Sequence, residues 1–246
     1  FIEVKIPNNK DGILVEQERM QSRFKKKEFK NFINITQLII FSNNMNYDDN
    51  SHLPIEGSFY LTPSYNASSL NYFREEEKFN FQDISKNITD EEENFILEDN
   101  NLVTIKNSKE FITNKDPQTP TNRICTSLLQ KKRIEFLLKF GIVYLSTKKG
   151  IEKHIMRYPQ IFAAQQIKNK IDKGVNKGVI WHTQGSGKTA LAYYSLKYLL
   201  NYFRSKKKIS KYYFIVDRID LVTQANKEFR SRGLSVHNIE SKKEFS

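Results

Sequence analysis

The sequence has little cysteine, proline and tryptophan, and no long apolar run. Its 246 residues contain one cysteine, Cys125, six prolines and one tryptophan. A single thiol excludes a disulfide or a thiolate metal cage within the chain, and it favours a reducing compartment. We therefore expect a cytoplasmic protein. No apolar stretch approaches the ~20 residues that a membrane-spanning helix needs.

The charge of the chain is basic and unevenly distributed. The formal net charge is +12, but residues 75–120 hold twelve Asp and Glu against five Lys and Arg, so this insert carries −7 and the remainder +19. A basic balance fits a nucleic-acid partner, because lysine and arginine neutralise phosphates. The Lys- and Asn-rich usage of an AT-rich genome would produce the same charge. The acidic insert is either a docking surface or a solvated excursion, and we favour the second.

The first part of the chain predicts a strand–helix–strand unit. "FIEVKI" alternates as a strand, "ILVEQERMQSRFKKKEFKNF" is typical of a charged amphipathic helix, and "TQLIIFS" of a central strand. "GSFYLTPS" is a further candidate strand. From about Asn71 to Pro120 we expect irregular structure with short helices. "SLLQKKRIEFLLKFGIVYL" then predicts a helix that ends near Gly141.

The second part alternates helices and strands from Lys153 onward. Helices are predicted over "YPQIFAAQQIKNKIDKG", "GKTALAYYSLKYLLNYF" and "DLVTQANKEFRSRG". Strands are predicted over "KGVIWHT", "YYFIVD" and "LSVHNI". Strands that alternate with helices indicate a parallel sheet with crossover helices, so the fold class is α/β.

The stretch "WHTQGSGKT", residues 181–189, indicates a phosphate-binding loop. The pattern G-x-x-x-x-G-K-[ST] is met except that His182 replaces the first glycine. Gly185 and Gly187 let the backbone aim N–H groups at phosphate oxygens, Lys188 would hold the β- and γ-phosphates, and the Thr189 hydroxyl would ligate Mg²⁺. A glycine-rich turn that happens to contain Lys-Thr is the alternative. The candidate ATP-binding residues here are Gln184, Gly185, Ser186, Gly187, Lys188 and Thr189.

The opening strand carries Glu-x-Lys, half of the PD-(D/E)xK nuclease signature. Period-2 geometry puts Glu3 and Lys5 on one face, where Glu3 could ligate Mg²⁺ and Lys5 could position or activate a water. Glu-x-Lys also begins at Glu28, Glu76 and Glu240, outside any clean alternating strand. A surface ion pair on a half-exposed strand is the alternative. Asp11 follows the strand and cannot supply the signature's first carboxylate.

The loop sequence resembles those of motor ATPases in helicase superfamilies 1 and 2. Gln160 lies about 25 residues before the loop, as does the Q-motif glutamine that reads adenine in such motors. An ordinary polar helix residue is the alternative for Gln160. "YYFIVDRIDLVTQ" resembles the second core strand and following helix, a region that contacts the nucleic-acid backbone in these motors.

The order of these motifs resembles the restriction (R) subunit of type I restriction–modification enzymes, a PD-(D/E)xK nuclease fused to a superfamily 2 DNA translocase. The resemblance implies that ATP hydrolysis pumps double-stranded DNA and that Glu3 and Lys5 serve a Mg²⁺-dependent nuclease. It implies ATP and Mg²⁺ as cofactors, and modification (methyltransferase) and specificity subunits as partners. Gln21 would be the family's helix glutamine near DNA, with solvation of a core helix as the alternative.

The resemblance also predicts domain boundaries. Residues 1–120 would be the C-terminal part of a nuclease-like α/β domain, 121–152 a helical connector, and 153–246 the N-terminal part of a RecA-like P-loop domain. We expect a fragment, with the upstream nuclease Asp, the Walker B carboxylates and the second motor lobe outside this chain. Without them we expect it neither to hydrolyse ATP nor to cut DNA alone.

Three other functions fit parts of the pattern. The first is a superfamily 2 helicase-like ATPase whose N-terminal module binds nucleic acid without catalysis. The second is a P-loop protein outside the motors, such as a kinase. The third is a non-enzymatic basic binding protein, which would show no ATP binding dependent on Lys188.

Overall fold

A computed structural model describes residues 1–5, 12–45, 57–65, 68–81, 88–147 and 150–239. The chain divides into two compact units, Phe1–Leu138 and Lys139–Ser246. Asp11 and the Glu-x-Lys at Glu240 lie outside the described residues.

The first unit contains a four-stranded mixed sheet. Its strands are β1 (Ile2–Val4), β2 (Ile39–Ser42), β3 (Ser58–Leu61) and β4 (Asn71–Tyr72), in the order β1-β2-β3-β4. β1 and β2 are parallel, with Ile2 opposite Ile40, whereas the other two pairs are antiparallel. β1 is therefore an edge strand, connected to β2 by a helical crossover, as the strand–helix–strand pattern predicts.

The crossover helix α1 (Ile13–Phe24) closes the core of this unit. Residues three and four positions apart share one side of a helix, and on α1 the apolar residues at this spacing form a stripe that faces the sheet. Ile13, Met20 and Phe24 on this stripe pack in one buried cluster with Ile39, Phe41, Phe59 and Leu61 of β2 and β3. A short 3₁₀ turn (Lys27–Phe29) and α2 (Lys30–Ile35) complete the return to β2.

Short helices follow the sheet, as predicted for the polar insert. They are α3 (Asp90–Asp99), a 3₁₀ turn (Val103–Ile105), α4 (Lys109–Asn114), α5 (Pro120–Arg123), a π-helical turn (Ile124–Leu128) and α6 (Lys131–Phe136). One buried ion pair connects the insert to α6: Arg133 contacts Glu75, and it also reaches Glu77 at 3.2 Å. The start of the acidic insert is therefore held by the helical region that follows it.

The second unit begins with a β-hairpin that the sequence patterns did not predict. After a π-helical turn (Leu137–Gly141), β5 (Ile142–Thr147) pairs antiparallel with β6 (Gly150–Ile155). The expectation of a helical connector over residues 121–152 is thus wrong for its last part. "GIVYLST" supplies β-branched and aromatic residues that favour a strand once Gly141 ends the helix.

Three helices follow the hairpin close to their predicted positions: α7 (Tyr158–Asp172), α8 (Lys188–Ser205) and α9 (Ile219–Ser231). The predicted parallel sheet between them is not formed in the described residues. Over 156–239 no strand is assigned, and Val179 and Trp181 are 89% and 91% exposed. An all-parallel sheet is normally covered by helices on both faces, so its strands are buried. These apolar runs are largely exposed here, although their crossover helices are present.

No helix in the described part of the chain has both the length and the apolarity required to cross a membrane.

Candidate functional site

Residues 182–187 form a loop that leads directly into α8, whose first two residues are Lys188 and Thr189. Gly185 and Gly187 adopt left-handed φ values of 76° and 80°, and Gly187 is the N-cap of the helix. Such values are strained for residues that carry a Cβ. The first helical hydrogen bond runs from Leu191 N–H to the Gly187 carbonyl at 2.9 Å. The loop thus ends at the positive end of an 18-residue helix, a favourable place for an anion.

The ammonium group of Lys188 folds back onto the loop. Its Nζ donates to the carbonyl of Thr183 at 2.9 Å and to that of His182 at 3.2 Å. His182 occupies the position of the first glycine in the general pattern, and its contribution to this contact is a backbone oxygen. The side chain at position 182 therefore takes no part in closing the loop around Lys188.

The amide of Gln160 fastens the loop to α7. Gln160 is 3% exposed, and its Nε2 donates to the Gly187 carbonyl at 3.0 Å and to the Ser186 carbonyl at 3.4 Å. Its Oε1 accepts from the Arg157 backbone N–H at 2.9 Å. Both amide hydrogens are therefore committed to the loop. The adenine-reading role of Gln160 stays a prediction, and it requires that this amide exchange its partners.

The chemistry of this loop fits the triphosphate of a nucleotide. The loop combines two left-handed glycines with the N-terminus of α8 and the exposed Lys188. Thr189 lies in the first turn of that helix. The Ser186 hydroxyl is buried without a hydrogen-bond partner among the described residues, which is uncommon for a buried polar atom. A bound phosphate would draw Lys188 from its carbonyl partners, and the Thr189 hydroxyl would be the group to meet Mg²⁺.

The first unit brings Glu3 of β1 together with Lys5, which follows the strand and continues its pairing with β2 through a backbone hydrogen bond to the Ser42 carbonyl. Lys5 Nζ lies 2.9 Å from Glu3 Oε1, as the period-2 spacing predicts. The face that holds them is turned toward α1, while Ile2 and Val4 on the other face are exposed. The hydrogen bond to Glu3 raises the pKa of Lys5, against the lowering effect of burial. Lys5 is therefore a cation at neutral pH.

A third charged residue of this cluster, Glu16, was missed in the sequence. Its Oε2 lies 3.2 Å from Lys5 Nζ and 2.9 Å from Arg19 Nη1, and its side chain is only 4% exposed. The signal was present: Glu16 falls on the same helical stripe as Ile13 and Met20. A carboxylate within a buried apolar stripe needs a cationic partner, so it indicates a site.

Two glutamines of α1 share one acceptor. Gln21, the predicted helix glutamine, donates through Nε2 to the Ser68 carbonyl at 2.9 Å. Gln17, one turn earlier, donates to the same oxygen at 2.9 Å. Both amides hold the segment before β4, and Gln17 was not singled out in the sequence. A role of Gln21 near DNA stays a prediction.

The first unit offers part of a metal site. Mg²⁺ prefers oxygen ligands and is commonly held by one or two carboxylates. Glu3 supplies one carboxylate, but the described residues contain no group of three potential ligands. They therefore do not form a complete metal site by themselves.

Comparison with known protein families shows a resemblance within the second unit. The family model described as SWI2/SNF2 ATPase matches residues 159–246. This range contains the Gln160 amide and the loop that it holds. No solved structure matches the chain.

Comparison with curated proteins identifies individual relatives of the chain. The chain is 40% identical over 102 residues to the MjaVIIP endonuclease subunit of a type I restriction enzyme from Methanocaldococcus jannaschii, covering 38% of this chain and 9% of that protein. It is 33% identical over 106 residues to the MjaVIIIP subunit of the same organism, covering 40% and 10%. A Staphylococcus aureus subunit is 35% identical over 74 residues, covering 30% and 8%.

These matches confirm the resemblance to type I restriction endonuclease subunits that the motif order predicted. The chain spans about a tenth of the length of the curated relatives it matches.

Proposed function

We propose that this chain is part of the DNA-translocating and DNA-cleaving subunit of a type I restriction enzyme. The parent subunit would hydrolyse ATP to move double-stranded DNA and cut it with a Mg²⁺-dependent nuclease. It would work in a complex with modification and specificity subunits. The observation that carries the proposal is the order of the two motifs, Glu3–Lys5 on a strand and then 182–189 at a helix N-terminus, in a chain similar to endonuclease subunits.

The ATP part of the proposal rests on the loop and its helix. Gly185 and Gly187 place backbone at the N-terminus of α8, Lys188 supplies the cation for the phosphates, and Thr189 supplies a hydroxyl for Mg²⁺. The match of residues 159–246 to the SWI2/SNF2 ATPase family supports this assignment.

The nuclease part of the proposal rests on the ion pair of β1. Lys5 is held as a cation beside Glu3, so it would position water or stabilise negative charge on the phosphodiester rather than abstract a proton. Glu3 would ligate Mg²⁺ together with a carboxylate from outside the described residues. The metal would supply Lewis-acid activation of the water.

The test uses the intact parent subunit assembled with its modification and specificity partners. ATP-dependent cutting of circular plasmid DNA and ATP turnover are recorded in the same samples for wild type, Lys188→Ala and Glu3→Gln. We expect Lys188→Ala to abolish both activities, because translocation precedes cutting. We expect Glu3→Gln to abolish cutting while ATP turnover persists.

Matched controls come from the chain itself. Glu28→Gln changes an exposed Glu-x-Lys that lies on a 3₁₀ turn, and Lys211→Ala changes an exposed lysine outside the loop. Both should cut as wild type does. A Lys188→Ala complex that still turns over ATP would overturn the motor assignment.

One observation favours a second candidate function. The described residues bring no group of three potential metal ligands together at Glu3, and the second carboxylate there, Glu16, is paired with Lys5 and Arg19. A superfamily 2 ATPase with a non-catalytic nucleic-acid-binding N-terminal module would not need a metal site there. Normal plasmid cutting by Glu3→Gln, with ATP turnover retained, would favour this candidate.

A further inference from the structure

The salt bridge between Lys5 and Glu16 connects the edge strand β1 to the helix that covers it. Lys5 is bonded on one side to Glu3, two residues earlier on its own strand, and on the other side to Glu16 in the first turn of α1. An ammonium group has three N–H donors. Within the described residues two are directed to these carboxylates, which leaves one for a ligand in front of the strand.

Glu16 is itself fixed in place. Arg19, one turn along α1, contacts the same Oε2 that faces Lys5, at 2.9 Å. The Glu16 side chain is nearly inaccessible, whereas that of Arg19 is 47% exposed and reaches solvent. A buried carboxylate with two cationic partners has little freedom to move, so it gives Lys5 a rigid anchor.

The location of Glu16 indicates that the carboxylate is not there for packing. The neighbouring positions of its stripe, Ile13 and Met20, are apolar and belong to the core cluster. A methionine or leucine at position 16 would continue that stripe at no electrostatic cost, since a buried ion pair is seldom more stabilising than apolar packing. The carboxylate is instead directed at Lys5.

We propose that Glu16 is a positioning residue of the nuclease site, which holds the Lys5 ammonium group toward the space beside Glu3. This inference rests on the proposed nuclease function. Glu16 lies behind Lys5 on α1 and acts through it, independently of the contact between Lys5 and Glu3.

The charged groups that face Lys5 among the described residues are Glu3 from its own strand and Glu16 from α1, with Arg19 behind Glu16. Glu3 and Glu16 hold the ammonium group from two sides, so removing the Glu16 carboxylate leaves Lys5 with a single anchor.

The experiment compares Glu16→Gln, Glu16→Asp and Glu16→Met in the assembled complex, with Glu18→Gln, an exposed change on the same helix, as the control. Plasmid cutting is measured as kcat and KM, with ATP turnover in the same samples. We expect Glu16→Gln to slow cutting about tenfold or more, a common effect of losing a group that orients a catalytic one. The loss should fall on kcat, while KM for DNA and ATP turnover stay unchanged.

Glu16→Asp should restore part of the rate, because it keeps the charge. Glu16→Met, which continues the apolar stripe, separates folding from positioning: it should assemble and hydrolyse ATP normally yet cut as slowly as Glu16→Gln. A wild-type rate of cutting in either Glu16→Gln or Glu16→Met would overturn the proposal.

Lys5→Ala and Glu3→Gln distinguish this failure from that of the nuclease assignment. If both variants cut DNA as wild type does, the proposed nuclease role of Glu3 and Lys5 is wrong, and so is the positioning role of Glu16. If they are inactive while the Glu16 variants are normal, only the positioning role is lost.

Discussion

The Gln160 side-chain amide donates a 3.0 Å hydrogen bond to the carbonyl of Gly187, the N-cap residue of α8. A residue in the first turn of α7 therefore holds the loop that precedes α8. The contact is close enough that a Cβ on Gly187 would lie 2.6 Å from Gln160 Nε2. The loop conformation, and with it the proposed phosphate site, depends on this fit.

Gly187→Ala should reduce both stability and ATP binding. The left-handed φ of 80° costs a residue with a Cβ roughly 1–2 kcal/mol, and the clash with Gln160 adds to this cost. Denaturant unfolding and titration with a fluorescent ATP analogue would measure the two effects.

Two glycine variants separate the causes. Gly185 has a φ of 76° but no atom within 4 Å of an added Cβ, so Gly185→Ala should show the backbone cost alone. Gly178 has open space and no left-handed φ, so Gly178→Ala should be neutral or stabilising. Equal losses in Gly187→Ala and Gly185→Ala would show that the fit to Gln160 is unimportant.

Gln160→Glu should weaken ATP binding through the loop. A carboxylate cannot donate to the Gly187 and Ser186 carbonyls, and leaving such groups unpaired costs about 1–3 kcal/mol. Isothermal titration with ATP would detect the change. Gln165→Glu on the same helix is the matched control, and an equal effect there would mean that only the added charge matters.

Arg133→Met should destabilise the first unit by about 3 kcal/mol, because it leaves the Glu75 carboxylate buried without its cation. Arg133 and Glu75 are 4% and 3% exposed at their side chains. Urea unfolding measures the loss, and Glu75→Gln in the Arg133→Met background should recover part of it.

Arg74→Met provides the comparison for this pair. Arg74 pairs with Glu76 at the surface, with 58% of its side chain exposed, so the loss should stay below about 1 kcal/mol. If Arg133→Met were as mild, the connection between insert and helix would be incidental.

Lys153 should make stability rise with pH in the alkaline range. Burial lowers its pKa to about 8 from an ordinary 10.5. Between these values the unfolded chain binds a proton that the folded chain has released, so raising the pH favours the folded state. Below about pH 8 both states are protonated and the penalty of burying the charge is complete.

Lys153→Met should therefore stabilise the chain at pH 7 and flatten this rise, as measured by urea unfolding at pH 7, 9 and 10. Lys170→Met, at an exposed position of α7, should leave the pH dependence as it is in wild type. A rise that persists in Lys153→Met would assign it to another group.

The sequence patterns predicted best where one element carries its own signal. The stripe of α1 and the alternation of β1 located both elements, and the spacing of Glu3 and Lys5 predicted their ion pair. The hairpin of β5 and β6 was missed because the apolar run around Gly141 reads as the continuation of a helix. The commitment of Gln160 to the Gly187 carbonyl was also missed, since a contact across 27 positions has no periodic signature.

The parallel sheet was overpredicted for a related reason. Apolar runs such as "KGVIWHT" and "YYFIVD" predict burial, but burial depends on which strands lie beside them. Glu16 differs from these runs. Its place on the buried stripe of α1 could be predicted from the sequence, whereas its partner Lys5 lies on a different element and could not.

The unpaired apolar runs bear on how the chain behaves at high concentration. Val179, Trp181 and Ile215 are 89%, 91% and 80% exposed on segments whose backbone groups form no ladder in the described residues. Such a segment is a template for another chain, because two copies can pair where one cannot. Self-association would then compete with ligand binding in measurements on the isolated chain. The dependence of the signal on protein concentration would show how much of it comes from self-association.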